Sequence, residues 1–317
     1  KLEAIPGYRV ELSLAELYAQ VERIGCALVS QHDQLVPADR ALYALRDVTG
    51  TVDSLPLIAS SIMSKKLAGG AGVLVLDVKY GSGSFMAGRD EAGELAALML
   101  SIAAREGLRA TAVLSPMDQP LGFAVGNALE VREAIETLHG RGPADLVELC
   151  LTLGAQLLSL AGAAQGIVEA RRKCMQVLSS GKALAKLAEL IAAQGGDPRV
   201  VDDPDRLPRA PVVFPVNYRG TGSRWVRQVE ARTIAQAALL LGAGRREKGA
   251  PVDPAVGVVL VKKQGDRVGA GETIALVHAR DKAQAERAAA LVQRAFSWSD
   301  QPVVPVPHQY QVLPGSR

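Results

Sequence analysis

The chain has 317 residues, 48% of them hydrophobic and 22% charged, with a formal charge of +3 and aromatics at only 4%. Its length suggests about two domains with cores built on Ala, Leu, Val and Ile. The modest charge is spread along the chain, which argues against a dedicated nucleic-acid surface, and no apolar run reaches the roughly 18 residues of a membrane span.

In chain order, Ser13-Leu14-Ala15-Glu16 reads as a capping box opening a helix with Leu14, Leu17, Val21 and Ile24 on one face. Pro37 and Ala38 begin a second helix that carries Tyr43 and Arg46. Asp53 and Ser54 can cap a third, with Pro56 in its first turn and Gly69-Gly70 at its end. Gly72–Lys79 is short, β-branched and glycine-bounded, the pattern of a buried parallel strand. A helix over Asp90–Arg105, a strand over Ala110–Leu114 and a helix over Asn127–Leu138 continue a β-α-β-α order with right-handed crossovers. Helices over Ala144–Ala161 and Ile167–Leu178 follow, and the polar, proline-broken Asp202–Pro208 marks a boundary. Beyond it come strands near Val212, Val258 and Ile274, helices over Ala231–Leu241 and Asp281–Ala295, and a tight turn at Lys263–Val268.

This order predicts an α/β fold with a parallel-type sheet domain over 1–36 and 70–203 and a boundary before 204–317. The odd cysteine number (Cys26, Cys150 and Cys174) has no metal spacing, and each lies in a helix-like pattern, so buried free thiols in a reducing compartment are expected. His32, His139, His278 and His308 are scattered without metal or triad spacing and read as surface or structural. No signal peptide is expected ahead of Lys1, and a cytoplasmic location is expected with it.

The most informative stretch is Tyr43–Lys66, where polar residues interrupt an apolar pattern at helical spacing. Tyr43 and Arg46 stand three apart, Ser61 and Lys65 four apart, so each pair shares a helix face. A guanidinium, a hydroxyl, an ammonium and one aromatic ring together suit a flat, carbonyl-bearing ligand such as a pyrimidine. On spacing alone, Arg46 beside Asp47 reads as a solvated helix surface, Lys65-Lys66 as a basic helix end favoured by the dipole, Ser61 as an ordinary helix serine and Tyr43 as a core-edge aromatic.

Four segments change that balance. Tyr43–Lys66 with Leu45-Arg46-Asp47-Val48-Thr49-Gly50 and Ser60-Ser61-Ile62-Met63-Ser64-Lys65, then Asp77-Val78-Lys79-Tyr80-Gly81-Ser82-Gly83-Ser84-Phe85-Met86, Pro120–Glu133 and Asp253–Leu260 resemble the thymidine phosphorylases and related pyrimidine-nucleoside phosphorylases. The C-terminal wording is closer to the broad-specificity pyrimidine enzymes. The resemblance implies a homodimeric, cytoplasmic pentosyltransferase of nucleoside salvage that cleaves thymidine, uridine and deoxyuridine with inorganic phosphate as co-substrate, without organic cofactor, nucleic acid or membrane. It implies that Tyr43, Arg46, Ser61, Lys65 and Phe85 bind the nucleoside, with Arg46 and Lys65 catalytic. It also implies that Leu121, Ala124 and Glu133 hold a structural potassium ion, that 37–69 is a helical-lobe segment carrying base-binding residues, and that 204–317 is a C-terminal α+β domain. By itself Glu133 reads as an exposed helix carboxylate, and Gly81–Ser84 as a flexible turn or a weak phosphate cradle.

In the resembled enzymes the phosphate-binding segment precedes the stretch matched by Lys1-Leu2-Glu3-Ala4-Ile5-Pro6-Gly7, so this chain is expected to supply the base-binding side, and alone to be nearly inactive and prone to aggregate. Two alternatives stand beside this reading. One is a non-catalytic pyrimidine-binding or dimerisation fragment. The other is an anthranilate-type phosphoribosyltransferase relative, which would need a magnesium–diphosphate signature.

Overall fold

The computed structural model describes residues 1–30, 36–39, 42, 54–245, 250–305 and 310–315. The chain forms two compact units, one of Lys1–Leu28, Asp118–Val147 and Val177–Pro307, the other of Val29–Met117, Glu148–Gln176 and His308–Arg317.

The second unit is built on strand β1 (Val73–Tyr80), which pairs parallel with β2 (Arg109–Pro116) in an unbroken register from Val73↔Arg109 to Tyr80↔Pro116. A parallel pair needs a crossover, and helix α3 (Arg89–Arg105) supplies it. Its inner face is Ala92, Leu95, Ala96, Met99 and Ala103, where three alanines let the helix lie close on Leu76, Val78, Ala112 and Leu114. The expected parallel sheet is, among the described residues, this one pair. On its other side β2 carries an antiparallel strand, β10 (Gln311–Pro314), whose Pro314 sits at the strand end where its missing N–H costs least.

Helix α2 (Leu55–Ala68) packs into the same core through Ala59 and Met63, each 1% exposed and one turn apart. Pro56 stands in its first turn and Gly69 at its C-cap, as the sequence predicts, but Ser54 makes no side-chain cap bond. Pro37–Asp39 and Leu42 are helical. Tyr43, Arg46 and Asp53 lie outside the described residues, as do His32 and His308.

In the first unit, the Ser13–Glu16 capping box forms with both reciprocal bonds and opens α1 (Leu14–Ile24). Helix α4 (Asn127–Leu138) matches its predicted limits and buries Val131 and Ile135 against Ile5, Tyr8, Ile191 and Val200. Of the helices that follow, α5 (Ala144–Leu160) and α6 (Ile167–Ser179) lie mostly in the second unit and α7 (Lys182–Ala193) in the first. Past the 3-10 turns Pro198–Val201 and Pro204–Arg206, one antiparallel sheet runs in the order β3 (Ala124–Val125), β6 (Gly257–Leu260), β8 (Thr273–Ala279), β4 (Val212–Asn217). A second sheet runs β7 (Arg267–Val268), β5 (Arg224–Val229), β9 (Phe296–Ser299). Helices α8 (Ala231–Leu241) and α9 (Lys282–Ala295) pack on these through Ile234, Leu241, Ala285, Ala288 and Val292. Where β3 meets β6, a Cβ on Gly257 would lie 2.3 Å from the Val125 carbonyl oxygen, so only glycine fits.

The thiols differ from expectation. Cys150 is exposed, Cys26 and Cys174 are half-buried, and Cys26 lies beyond α1, which Gly25 ends in a left-handed conformation. His139 places Nε2 3.0 Å from the Val201 carbonyl oxygen, and burial pushes the pKa of His278 in β8 down.

Gln194, just past α7, is fully buried and uses its whole amide. Its Nε2 donates to the Arg9 and Leu28 carbonyls (2.7 and 2.9 Å), and its Oε1 accepts from the Leu28 amide and Gln20 Nε2 (3.0 and 3.1 Å). Gln194→Leu keeps the volume but orphans four partners, so an expected loss of about 3 kcal/mol or more should appear as a lower denaturant midpoint. An unchanged midpoint would show that water replaces the amide without cost.

Candidate functional site

The base-side residues are set by the rotation of α2. With Ala59 and Met63 turned into the core, Ser61 lies about 200° around the helix from Ala59, and Lys65 follows Ser61 one turn later. Ser61 is nonetheless nearly buried. Lys65 Nζ donates to Ser61 Oγ at 2.9 Å and to the Ser61 carbonyl at 3.1 Å, and pairs with Asp39 Oδ2 at 2.6 Å. The structure therefore brings Ser61 and Lys65 together and adds a carboxylate that spacing did not reveal.

At the carboxyl ends of β1 and β2 stands a second polar group. Lys79 Nζ pairs with Asp77 at 2.7 Å and donates to Ser115 Oγ at 2.9 Å, and Ser115 donates to Asp77. Ends of parallel strands are where α/β sheets commonly bind ligands. The loop that follows is held to the sheet: Ser84 Oγ lies 2.9 Å from the Lys79 carbonyl oxygen, the Gly83 amide donates to the Met117 carbonyl, and the Gly81 amide to that of Met86. This is a pinned turn rather than a flexible one. It presents Phe85 with 78% of its surface exposed, apart from the core.

In the first unit, the loop before α4 wraps the Glu133 carboxylate. Glu133 Oε1 accepts from the amides of Phe123 (2.8 Å) and Ala124 (3.1 Å). Gly122, at φ +67°, comes so close that a Cβ there would meet Glu133 Oε2 at 2.2 Å. Glu133 is thus not the exposed helix carboxylate that its position alone suggests. The Gly122 amide donates instead to Asp145 Oδ2 (3.2 Å), and Asp145 forms an almost buried ion pair with Lys263. The Lys263 ammonium also sits 5.5 Å from the centre of the Phe123 ring, within cation–π range. Burial raises the Glu133 pKa first of all, the two amides lower it, the Asp145 charge raises it and the Lys263 charge lowers it. Ala124 reaches Glu133 through its N–H, and Leu121 adjoins Gly122 in the same loop. An all-oxygen set of one carboxylate and loop carbonyls would suit a hard monovalent cation.

Sequence reasoning missed Asp39, Asp145 and Lys263. Asp145 follows the Gly142-Pro143 turn and Lys263 opens a Gly/Asp turn, and both signals mark loop structure rather than charge partners.

Comparison with known proteins adds two family matches: residues 1–184 match the family described as glycosyl transferase family, a/b domain, and residues 225–299 match the pyrimidine nucleoside phosphorylase C-terminal domain. The chain is 52% identical over 279 residues to the pyrimidine-nucleoside phosphorylase of Bacillus subtilis (strain 168), and 49% identical over 278 residues to that of Staphylococcus aureus (strain USA300). Each alignment covers 88% of this chain and 64% of the relative, so the chain spans a little under two thirds of the length of these proteins. No helix among the described residues is long and apolar enough to cross a membrane.

Because the folded-state pKa of Glu133 is raised, the group costs nothing while both states are protonated, and its cost grows to its full value as pH rises through the folded pKa. Glu133→Gln keeps an acceptor for the Phe123 and Ala124 amides and removes the charge. In a buffer containing only bulky organic cations, the melting temperature of the variant should gain on that of the wild-type chain between about pH 4 and pH 8. Parallel melting curves across that range would contradict this.

Proposed function

The chain belongs to the family described as glycosyl transferase family, a/b domain, and from that membership and its likeness to pyrimidine-nucleoside phosphorylases we propose that it carries the base-binding side of a site for phosphorolysis of thymidine, uridine and deoxyuridine to free base and (deoxy)ribose 1-phosphate. The observation that carries the reading is the Lys65–Ser61 hydrogen bond on one face of α2. In this reaction the bond from the base nitrogen to the sugar C1′ breaks as phosphate attacks the opposite face. Negative charge collects on the departing base while the sugar becomes oxocarbenium-like. Fixed donors at the base carbonyls are therefore worth more in the transition state than in the bound substrate. Ser61 and Lys65 would act there, joined by Arg46 as a rigid cationic fork and by Tyr43 lining the pocket. Phe85 would pack on the base from its pinned loop.

In this reading inorganic phosphate is the co-substrate, the whole protein is a cytoplasmic homodimer, and the 317 residues alone bind base but barely turn nucleoside over, since they span only 64% of the length of their relatives.

Titration of the chain with uracil in a calorimeter tests the base site. Lys65→Ala should weaken binding about tenfold or more, the scale of one charge-assisted hydrogen bond. Equal affinity in the variant would remove Lys65 from the site, and release of thymine from thymidine and phosphate by the purified chain would overturn the expectation of inactivity.

We also propose that Glu133 with the carbonyls of Leu121 and Ala124 holds a potassium ion, whose charge would offset the burial cost of the carboxylate. Potassium should raise the melting temperature of the wild-type chain relative to tetramethylammonium, and leave Glu133→Gln unmoved. An equal rise in both would show a general salt effect.

A further inference from the structure

An ammonium has three N–H donors, and those of Lys65 meet three acceptors: Asp39 Oδ2 at 2.6 Å, Ser61 Oγ at 2.9 Å and the Ser61 carbonyl at 3.1 Å. Two of these belong to the residue one turn back on the same helix. The third, and shortest, comes from Asp39, whose side chain is 12% exposed and lies on a separate helical stretch of the same unit. Without it, a point charge on a four-carbon arm would be free to swing toward water.

The hydroxyl of Ser61 has one hydrogen. Its oxygen already accepts from Lys65, and among the described residues no group accepts that hydrogen. The nearly buried Ser61 therefore offers an outgoing donor, backed by a positive charge that Asp39 holds in place.

We propose that Asp39 is a positioning residue for the pyrimidine site: it anchors the Lys65 ammonium against Ser61 Oγ so that Ser61 faces substrate as a donor, which selects a ligand presenting a ring carbonyl there. This deepens the base-site reading and rests on it. A carbonyl that also reaches Lys65 would displace the longest of its three bonds, the one to the Ser61 carbonyl, and leave the Asp39 pair standing.

The test is calorimetric titration of the 317-residue chain and its variants with uracil, each checked by thermal melting. Asp39→Asn should melt as a folded protein and bind uracil about tenfold more weakly, because an amide holds an ammonium less firmly than a carboxylate. Asp39→Glu should recover part of the loss, since the charge is retained on a longer arm. Uracil binding at wild-type strength in Asp39→Asn, with binding lost in Lys65→Ala, would overturn the role of Asp39 and leave the base site intact. Equal loss in Asp39→Asn and Asp39→Glu, or failure of both to fold, would make Asp39 part of the scaffold and also overturn the proposal. No effect of Lys65→Ala, or no uracil binding by the wild-type chain, would bring down the base-site reading and this inference together.

Discussion

The burial of Ala59 and Met63 in the core that helix α3 shares with the β1–β2 pair is the constraint from which the chemistry of this chain follows. Two residues one turn apart fix the rotation of a helix as well as its position. Fully burying a methionine side chain is worth roughly 2 kcal/mol, enough to hold that rotation against alternatives. Once α2 is so set, Ser61 and Lys65 have no choice about which way they face, and their mutual hydrogen bond follows from the helical repeat alone. What the repeat does not decide is where the ammonium points beyond Ser61, and there the structure uses a carboxylate from outside the helix.

The loop before α4 handles charge by a different balance. Burial works against an ionised Glu133, and the Phe123 and Ala124 amides work for it. Asp145 would add repulsion, yet it is engaged by Lys263 and by the Gly122 amide. Three charged side chains thus sit around one short loop, each facing a donor or an opposite charge, and β3 ties that loop into the C-terminal sheet through the close approach at Gly257. The site and the small C-terminal domain are one mechanical piece here: Lys263 belongs to the domain and Glu133 to the helix before it.

Much of this was legible in the sequence, and the reasons differ by element. Helix α4 and the capping box of α1 were readable because their signals are local, a period or a residue three positions on. β1 and β2 were readable as short apolar strands, but their register depends on pairing across α3, and β10 had no signature because its partner lies far away in the chain. Helix α7 is missing from the sequence reading although its apolar face is as well patterned as those of the two helices before it. Gln194 looks like any polar residue at a helix end. Its four bonds reach Arg9, Gln20 and Leu28, and no window of sequence contains them. The same holds for Lys263 and Asp145. Ser61 and Lys65 were found since they face each other by helical period, whereas Asp39 is bound to them only by the fold.

The pairing of β10 with β2 has a consequence for biosynthesis. A ribosome delivers β1, α3 and β2 early, but the strand that completes their sheet is made only after the entire C-terminal domain has emerged. Until then the free edge of β2 displays unpaired backbone groups beside the buried, apolar Ala112, Val113 and Leu114, a template for pairing with another nascent chain. The unit that holds Ser61 and Lys65 therefore cannot complete this pairing until the C-terminal domain has been synthesised, and its yield in a cell depends on how well that edge is shielded in the meantime.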